Sequence, residues 1–137
     1  MSLLKIFDVA GSGMAAQSAR LNTTASNMAN ADSVASSADA AYHAKQPMFS
    51  AVQQMVNGQM ENQGVRAMGI TESQAPIQSR YEPGNPMADT DGYVYQSNVN
   101  PVDELVNMIS ASRSYQNNVE VMNSARQLMQ KTLDLGK

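Results

Sequence analysis

The chain has 137 residues with two Phe, no Trp, no Cys and eleven Met, and a formal net charge of −3. This is one domain's worth of sequence, with few large side chains for a core. Lys and Arg are scattered, so no basic patch points to nucleic acid or anionic lipid. The absence of Cys excludes a disulfide framework and a thiolate metal site. No apolar run reaches the ~18 residues of a membrane span.

Charged residues make up only 15% of the chain, against about 25% in a typical soluble domain. Asn, Gln, Ser and Thr supply the polarity instead. The segment 17–30 carries a single charge, Arg20. A helix with an apolar seam and neutral flanks suits burial among other helices.

In chain order, the first element is a helix expected from about Leu3 to Asn30, about 42 Å long at 1.5 Å per residue. Steps of three and four from Leu4 pick out Leu4, Phe7, Gly11, Met14, Ser18, Leu21, Ala25 and Met28. Large and small residues alternate with the 3.5-residue period of a coiled-coil seam. Gly11 and Gly13 each cost about 1 kcal/mol relative to Ala inside a helix. Gly11 lies on the seam, where a missing side chain admits another backbone; a local kink explains it equally. Lys5 and Asp8 interrupt the first apolar residues, so the start does not read as a cleavable signal peptide. If the protein leaves the cytoplasm, a route without a classical signal is expected.

From Ala31 to Ala44 there is no period, and Ala, Ser and Asp dominate, which predicts a loop. Three short segments then have strand character: Met48 to Val56, Val65 to Ile70 and Tyr93 to Gln96. Asn57-Gly58 predicts a turn after the first, and Glu82-Pro83-Gly84-Asn85-Pro86 a stronger one.

The second helix has a defined start. Asn100 caps it, Pro101 fits its first position, and Asp103 and Glu104 meet the positive end of its dipole. It should run to about Leu135, on the order of 50 Å, with Lys131 in its final turns and Gly136 as the stop. Its seam is Leu105, Met108, Ser112, Tyr115, Val119, Met122, Met129 and Leu133, interrupted by Arg126.

Candidate chemistry is sparse. His43 is the single histidine, with no Cys or acidic cluster beside it, so spacing assigns it no metal. Asp89-Thr90-Asp91-Gly92 has part of a calcium-loop pattern. Met87 stands where an earlier ligand is needed and the late Glu is missing, which leaves a turn before Tyr93. Tyr93 and Tyr95 share one strand face as a contact patch or core. No nucleophile elbow, phosphate loop or acid–base pair is present, so neither an enzyme nor a cofactor is expected.

The segments 6–14 (IFDVAGSGM), 16–22 (AQSARLN) and 25–32 (ASNMANAD) resemble the N-terminal signature of bacterial flagellar rod and hook proteins. Residues 81–86 (YEPGNP) with Ala88-Asp89 and Gly92-Tyr93-Val94, and residues 108–116 (MISASRSYQ) running on to Lys131-Thr132-Leu133, resemble the short proximal-rod members of that family. The match is weakest over 33–44 and 50–63.

The resemblance implies a structural subunit exported unfolded and uncleaved by the flagellar type III apparatus, assembling helically in the periplasm. Implied partners are copies of itself, other rod proteins, the basal-body membrane ring and export-gate or adaptor proteins. Nucleic acid and direct membrane insertion are not implied. The seam residues of both helices become the expected subunit-packing contacts.

The expected fold is mainly α. Long N- and C-terminal helices (1–31 and 100–137) form an antiparallel coiled-coil-like domain, with a small irregular β-containing region (32–99) between them. A soluble cytoplasmic coiled-coil adaptor or chaperone is the alternative. It would explain the seams but not the uncharged flanks or the turn signatures.

Overall fold

The computed structural model describes residues 3–56 and 59–136. Helix α1 spans Leu3–Ala29 and helix α2 spans Pro101–Leu135. Between them lie β1 (Val34–Ala35), β2 (Lys45–Val56), β3 (Gln59–Glu72), β4 (Ser79–Tyr81) and β5 (Tyr93–Gln96).

The start of α2 follows its sequence signals. Asn100 has extended backbone (φ −96°, ψ 111°), and its side chain accepts the Val102 N–H at 3.0 Å, with Pro101 opening the helix. Gly136 ends it at φ −90° rather than in the left-handed region, so the glycine is not there for a positive φ. At the end of α1 the Ser26 carbonyl accepts both the Asn30 N–H (3.2 Å) and the Asn30 side-chain amide (2.8 Å), which fastens the last turn.

Helix makes up about 47% of the described residues, so the fold is mixed rather than mainly α. The difference lies in the middle. Strands β2 and β3 form an antiparallel hairpin from Lys45 opposite Glu72 to Val56 opposite Gln59, with the register shifting between Met48 and Phe49 and again between Val52 and Gln53. Both reach beyond the apolar runs that announced them. Once Phe49 pairs with Ala67, the ladder is extended by backbone hydrogen bonding over polar residues whose composition does not favour strands. The Asn57-Gly58 turn lies outside the described residues.

A second sheet has the order β1-β5-β4, with all pairs antiparallel. Strands β1 and β4 are two and three residues long, too short to leave a period, and exist because β5 offers a ladder on both edges. β1 falls in the stretch expected to be loop. The Pro83 turn is closed by the Glu82 N–H donating to the Gly92 carbonyl (2.8 Å) and the Asn85 N–H donating to the Glu82 carbonyl (3.0 Å).

Little is buried that is large. Among the described residues, the buried hydrophobic ones apart from Val94 and Val99 are alanines: Ala10, Ala16, Ala35, Ala41, Ala111 and Ala125. The chain of 14.7 kDa exposes 9382 Å². A compact monomer of that mass exposes roughly 6,900 Å², so the excess is roughly 2,400 Å².

Candidate assembly interface

Helix α1 presents different stripes to different neighbours. Ile6, Gly13, Gln17, Arg20 and Thr24, with buried Ala10 in step, line the side toward α2. Ile6 shares a cavity of about 440 Å³ with Val121, Ala125 and Leu128. A Cβ on Gly13 would stand 2.9 Å from Asn118 Nδ2, so this glycine admits the α2 side chain. Arg20 Nη2 donates to Asn107 Oδ1 at 3.0 Å. Gln17, Arg20 and Thr24 border a cavity of about 360 Å³ with Glu104 and Asn107. Gln17 Oε1 is buried there without a hydrogen-bond partner.

On α2 the side toward α1 carries Glu104, Asn107, Asn118, Val121 and Ala125, with fully buried Ala111 in step. Each of these stripes lies one residue before the apolar seam read from the sequence, a rotation of about 100° on a helix of 3.6 residues per turn. Apart from Ile6, Val121 and Leu128 at one end, the contact within the chain is thus made by small and polar side chains, which let the two helices come close.

The apolar seams are left beside it. On α1, Phe7, Gly11, Met14 and Leu21 are half-buried, and Leu4, Ser18, Ala25 and Met28 are exposed. Gly11 faces open space within the chain, and α1 is unbroken through it. On α2, Met108, Ser112, Val119, Met122 and Met129 are half-buried, while Leu105, Tyr115 and Leu133 are exposed with Arg126. None of the seam residues is fully buried by its own chain, and Leu4 is 68% and Leu133 66% exposed.

A further side of α1 carries the β2–β3 hairpin. Ser12 Oγ accepts the Val65 N–H at 3.1 Å and donates to the Val9 carbonyl at 2.9 Å. Gly64 next to Val65 has φ +134°, and a Cβ there would collide with Ser12, so glycine is required on both counts. Lys5 pairs with Glu61, and its hydrogen bond and charge hold the Glu61 carboxyl below the usual carboxylate value.

The other end of the hairpin is fastened by Asn27, only 1% exposed. Its Nδ2 donates to the Lys45 carbonyl at 2.8 Å, and its Oδ1 accepts the Lys45 N–H (2.8 Å) and the Tyr42 hydroxyl (3.1 Å). Asn98 clasps the next segment. Its Oδ1 accepts the Ala44 N–H (2.6 Å) and its Nδ2 donates to the Ala75 carbonyl (2.9 Å). Sequence reasoning passed over both asparagines. The available signal was an uncharged polar residue inside an amphipathic helix for Asn27, and one just before a helix cap for Asn98.

The remaining candidates are structural. His43 Nδ1 lies 3.1 Å from the Ser73 carbonyl oxygen. Asp89 turns the chain into β5: its Oδ1 accepts the N–H groups of Asp91 (3.0 Å) and Tyr93 (2.9 Å), and its Oδ2 the Tyr95 hydroxyl (3.2 Å). The Tyr93 N–H, offset by desolvation and helped by the Asp91 N–H, holds the Asp89 carboxyl below its ordinary value. The same bond to Asp89 raises the Tyr95 phenol. Tyr93 packs edge-on against Tyr81 with ring centres 5.3 Å apart. Among the described residues no three His, Cys, Asp or Glu converge as metal ligands, and no helix is long and apolar enough to cross a membrane.

Two long helices with partly open apolar stripes, joined by a small β region with almost no large buried side chains, define a subunit built for packing against others. Comparison with known proteins gives that class an identity. Residues 7–36 match the family model for flagella basal body rod proteins, and residues 90–135 match that of the C-terminal region of flagellar basal body rod FlgEFG proteins. The flagellar basal-body rod protein FlgC of Salmonella typhimurium is 53% identical over the full length of both chains. Those of Yersinia enterocolitica and Escherichia coli O157:H7 are 55% and 52% identical, again over the whole of each chain. The chain belongs to the FlgC family of flagellar basal-body rod proteins. It is a structural component of the flagellar basal body and not an enzyme, and the cytoplasmic adaptor reading falls away.

Proposed function

We propose that this subunit polymerises helically through its terminal helices into the proximal part of the rod, a hollow shaft that transmits torque. The observation that carries the reading is the pair of apolar stripes on α1 and α2 that the chain leaves partly open, one residue round from the stripes it uses for itself. Residues 1–31 and 100–137 form the axial core and 32–99 the outer region. Leu4, Phe7, Gly11, Met14, Ser18, Leu21, Ala25 and Met28, with Leu105, Met108, Ser112, Tyr115, Val119, Met122, Met129 and Leu133, make the packing contacts between subunits.

An antiparallel, coiled-coil-like core is supported by the rising and falling order of its contacts. Ile6 lies near Ala125, Gly13 near Asn118 and Arg20 near Asn107. A helix whose apolar face lacks its partner is marginal in water, which suits export unfolded, and uncleaved, through the flagellar type III apparatus. The neighbours are further copies, other rod proteins, and the membrane ring with its export-gate or adaptor proteins.

Deletion of the gene tests the reading. Isolated basal bodies should retain the membrane ring and lack a completed rod, and the cells should not swim. Complete rods in the deletion strain would overturn it.

A further inference from the structure

The apolar stripe of α2 contains one charge. Arg126 stands between Met122, four residues before it, and Met129, three after, and Val119 and Leu133 continue the stripe on either side. It is exposed, and among the described residues it makes no hydrogen bond or ion pair within the chain. Its helical neighbours at three and four residues are Met122, Asn123, Met129 and Gln130, none of them acidic. At this level of the helix pair, where Ile6 lies near Ala125, α1 contributes Lys5, a second cation already held by Glu61.

The acids of the two helices lie off both stripes. The α1 stripe from Leu4 to Met28 has none, and the single acid of α1, Asp8, is in step with Lys5 and Ser12 on the side that carries the hairpin. On α2, Asp103, Glu104, Glu120 and Asp134 all fall outside the stripe, and Glu104 is turned toward α1. A second copy packed stripe against stripe would therefore set Arg126 against apolar side chains. A guanidinium taken out of water is tolerated only with a counter-charge.

We infer that Arg126 forms an ion pair with an aspartate or glutamate of a different protein of the rod, and so selects that neighbour over a further copy of this chain at this contact. This rests on the rod reading above, which covers the stripe, and adds a chemical requirement for the partner. A polar residue within an apolar seam costs stability but fixes which partner and which register is accepted. The discrimination comes from the wrong pairing, which leaves the charge desolvated and alone. The planar guanidinium suits the role because it bonds both oxygens of one carboxylate. An arginine that stayed in solvent would carry no such requirement, and its replacement by methionine would leave assembly unchanged.

Basal bodies from cells whose chain carries Arg126→Lys test the contact. The lysine keeps the charge and supplies an amine that a carbodiimide joins to a touching carboxylate. The expected product has the mass of this chain plus a different rod protein, with the bond mapped by mass spectrometry to residue 126 and an aspartate or glutamate of that protein. A bond from residue 126 to a second copy, or none there in assembled rods, overturns the inference. If Arg126→Lys fails to assemble, Arg126→Met and Arg126→Glu carry the test. Both should leave the thermal midpoint of the free protein unchanged and abolish spreading in soft agar. Second-site changes that restore spreading to Arg126→Glu should exchange an acid for Lys or Arg in a different rod protein. Normal spreading of both variants, or restoring changes confined to this chain, overturns the inference. Absence of the unsubstituted chain from basal bodies would instead overturn the rod reading.

Discussion

Ala25 separates what the chain does for itself from what it does for the rod. It is exposed, on the apolar stripe of α1 and away from α2. Leucine and alanine differ little in helix propensity, so Ala25→Leu should leave the thermal midpoint of the free protein unchanged. In a close interface between subunits the extra volume costs about 1–3 kcal/mol. At 1.4 kcal/mol per tenfold, that is a loss of about 5- to 150-fold in each contact, repeated at every subunit. Ala25→Leu cells should export the protein, build no rod and fail to spread in soft agar.

Two comparators lie on the other stripe. Ala111 is fully buried against α1, and Ala111→Leu should place the same penalty of about 1–3 kcal/mol on the monomer, read as a lower urea midpoint. Gln17→Leu removes a buried acceptor that has no partner, so it should leave the monomer as stable or more stable and the cells motile. Normal swimming of Ala25→Leu cells, or a monomer destabilised as much as by Ala111→Leu, would refute the assignment of this stripe to subunit packing.

Three further outcomes follow from the hydrogen bonds. Asn27→Ala strands the Lys45 N–H and carbonyl and should cost about 1–3 kcal/mol, with amide exchange at the base of β2 rising before that of α2. Asn100→Ala should cost about 1 kcal/mol through the lost cap, measured by chemical denaturation. Because folding lowers the Asp89 pKa from its ordinary 3.8, its contribution is complete above that value and is lost as pH falls through the folded value. The thermal midpoint should therefore drop in acid below about pH 4, and Asp89→Asn should flatten that part of the profile.

The sequence by itself determined the two terminal helices, the cap at Asn100, the turn at Pro83, the strand at Tyr93–Gln96 and membership of the axial family. All of these depend on local spacing or on contiguous motifs. Its 3.5-residue period also announced that each helix has a stripe to bury, but a period carries no phase. Two stripes one residue apart share the same spacing, and hydrophobicity alone favours the Leu4–Met28 stripe. Tertiary structure decided that the stripe of Ala10 and Gly13 on α1 meets the stripe of Asn118 and Ala111 on α2 instead, because small side chains let the helices approach while the hairpin occupies another side of α1. It also decided the length of β2 and β3 and the existence of β1 and β4, since a strand's ends are set by the partner it pairs with. Of the two α1 glycines, the one that matters within the chain is Gly13 and not Gly11, for the same reason: its value lies in Asn118, more than a hundred residues away in sequence and 2.9 Å from where a side chain would begin.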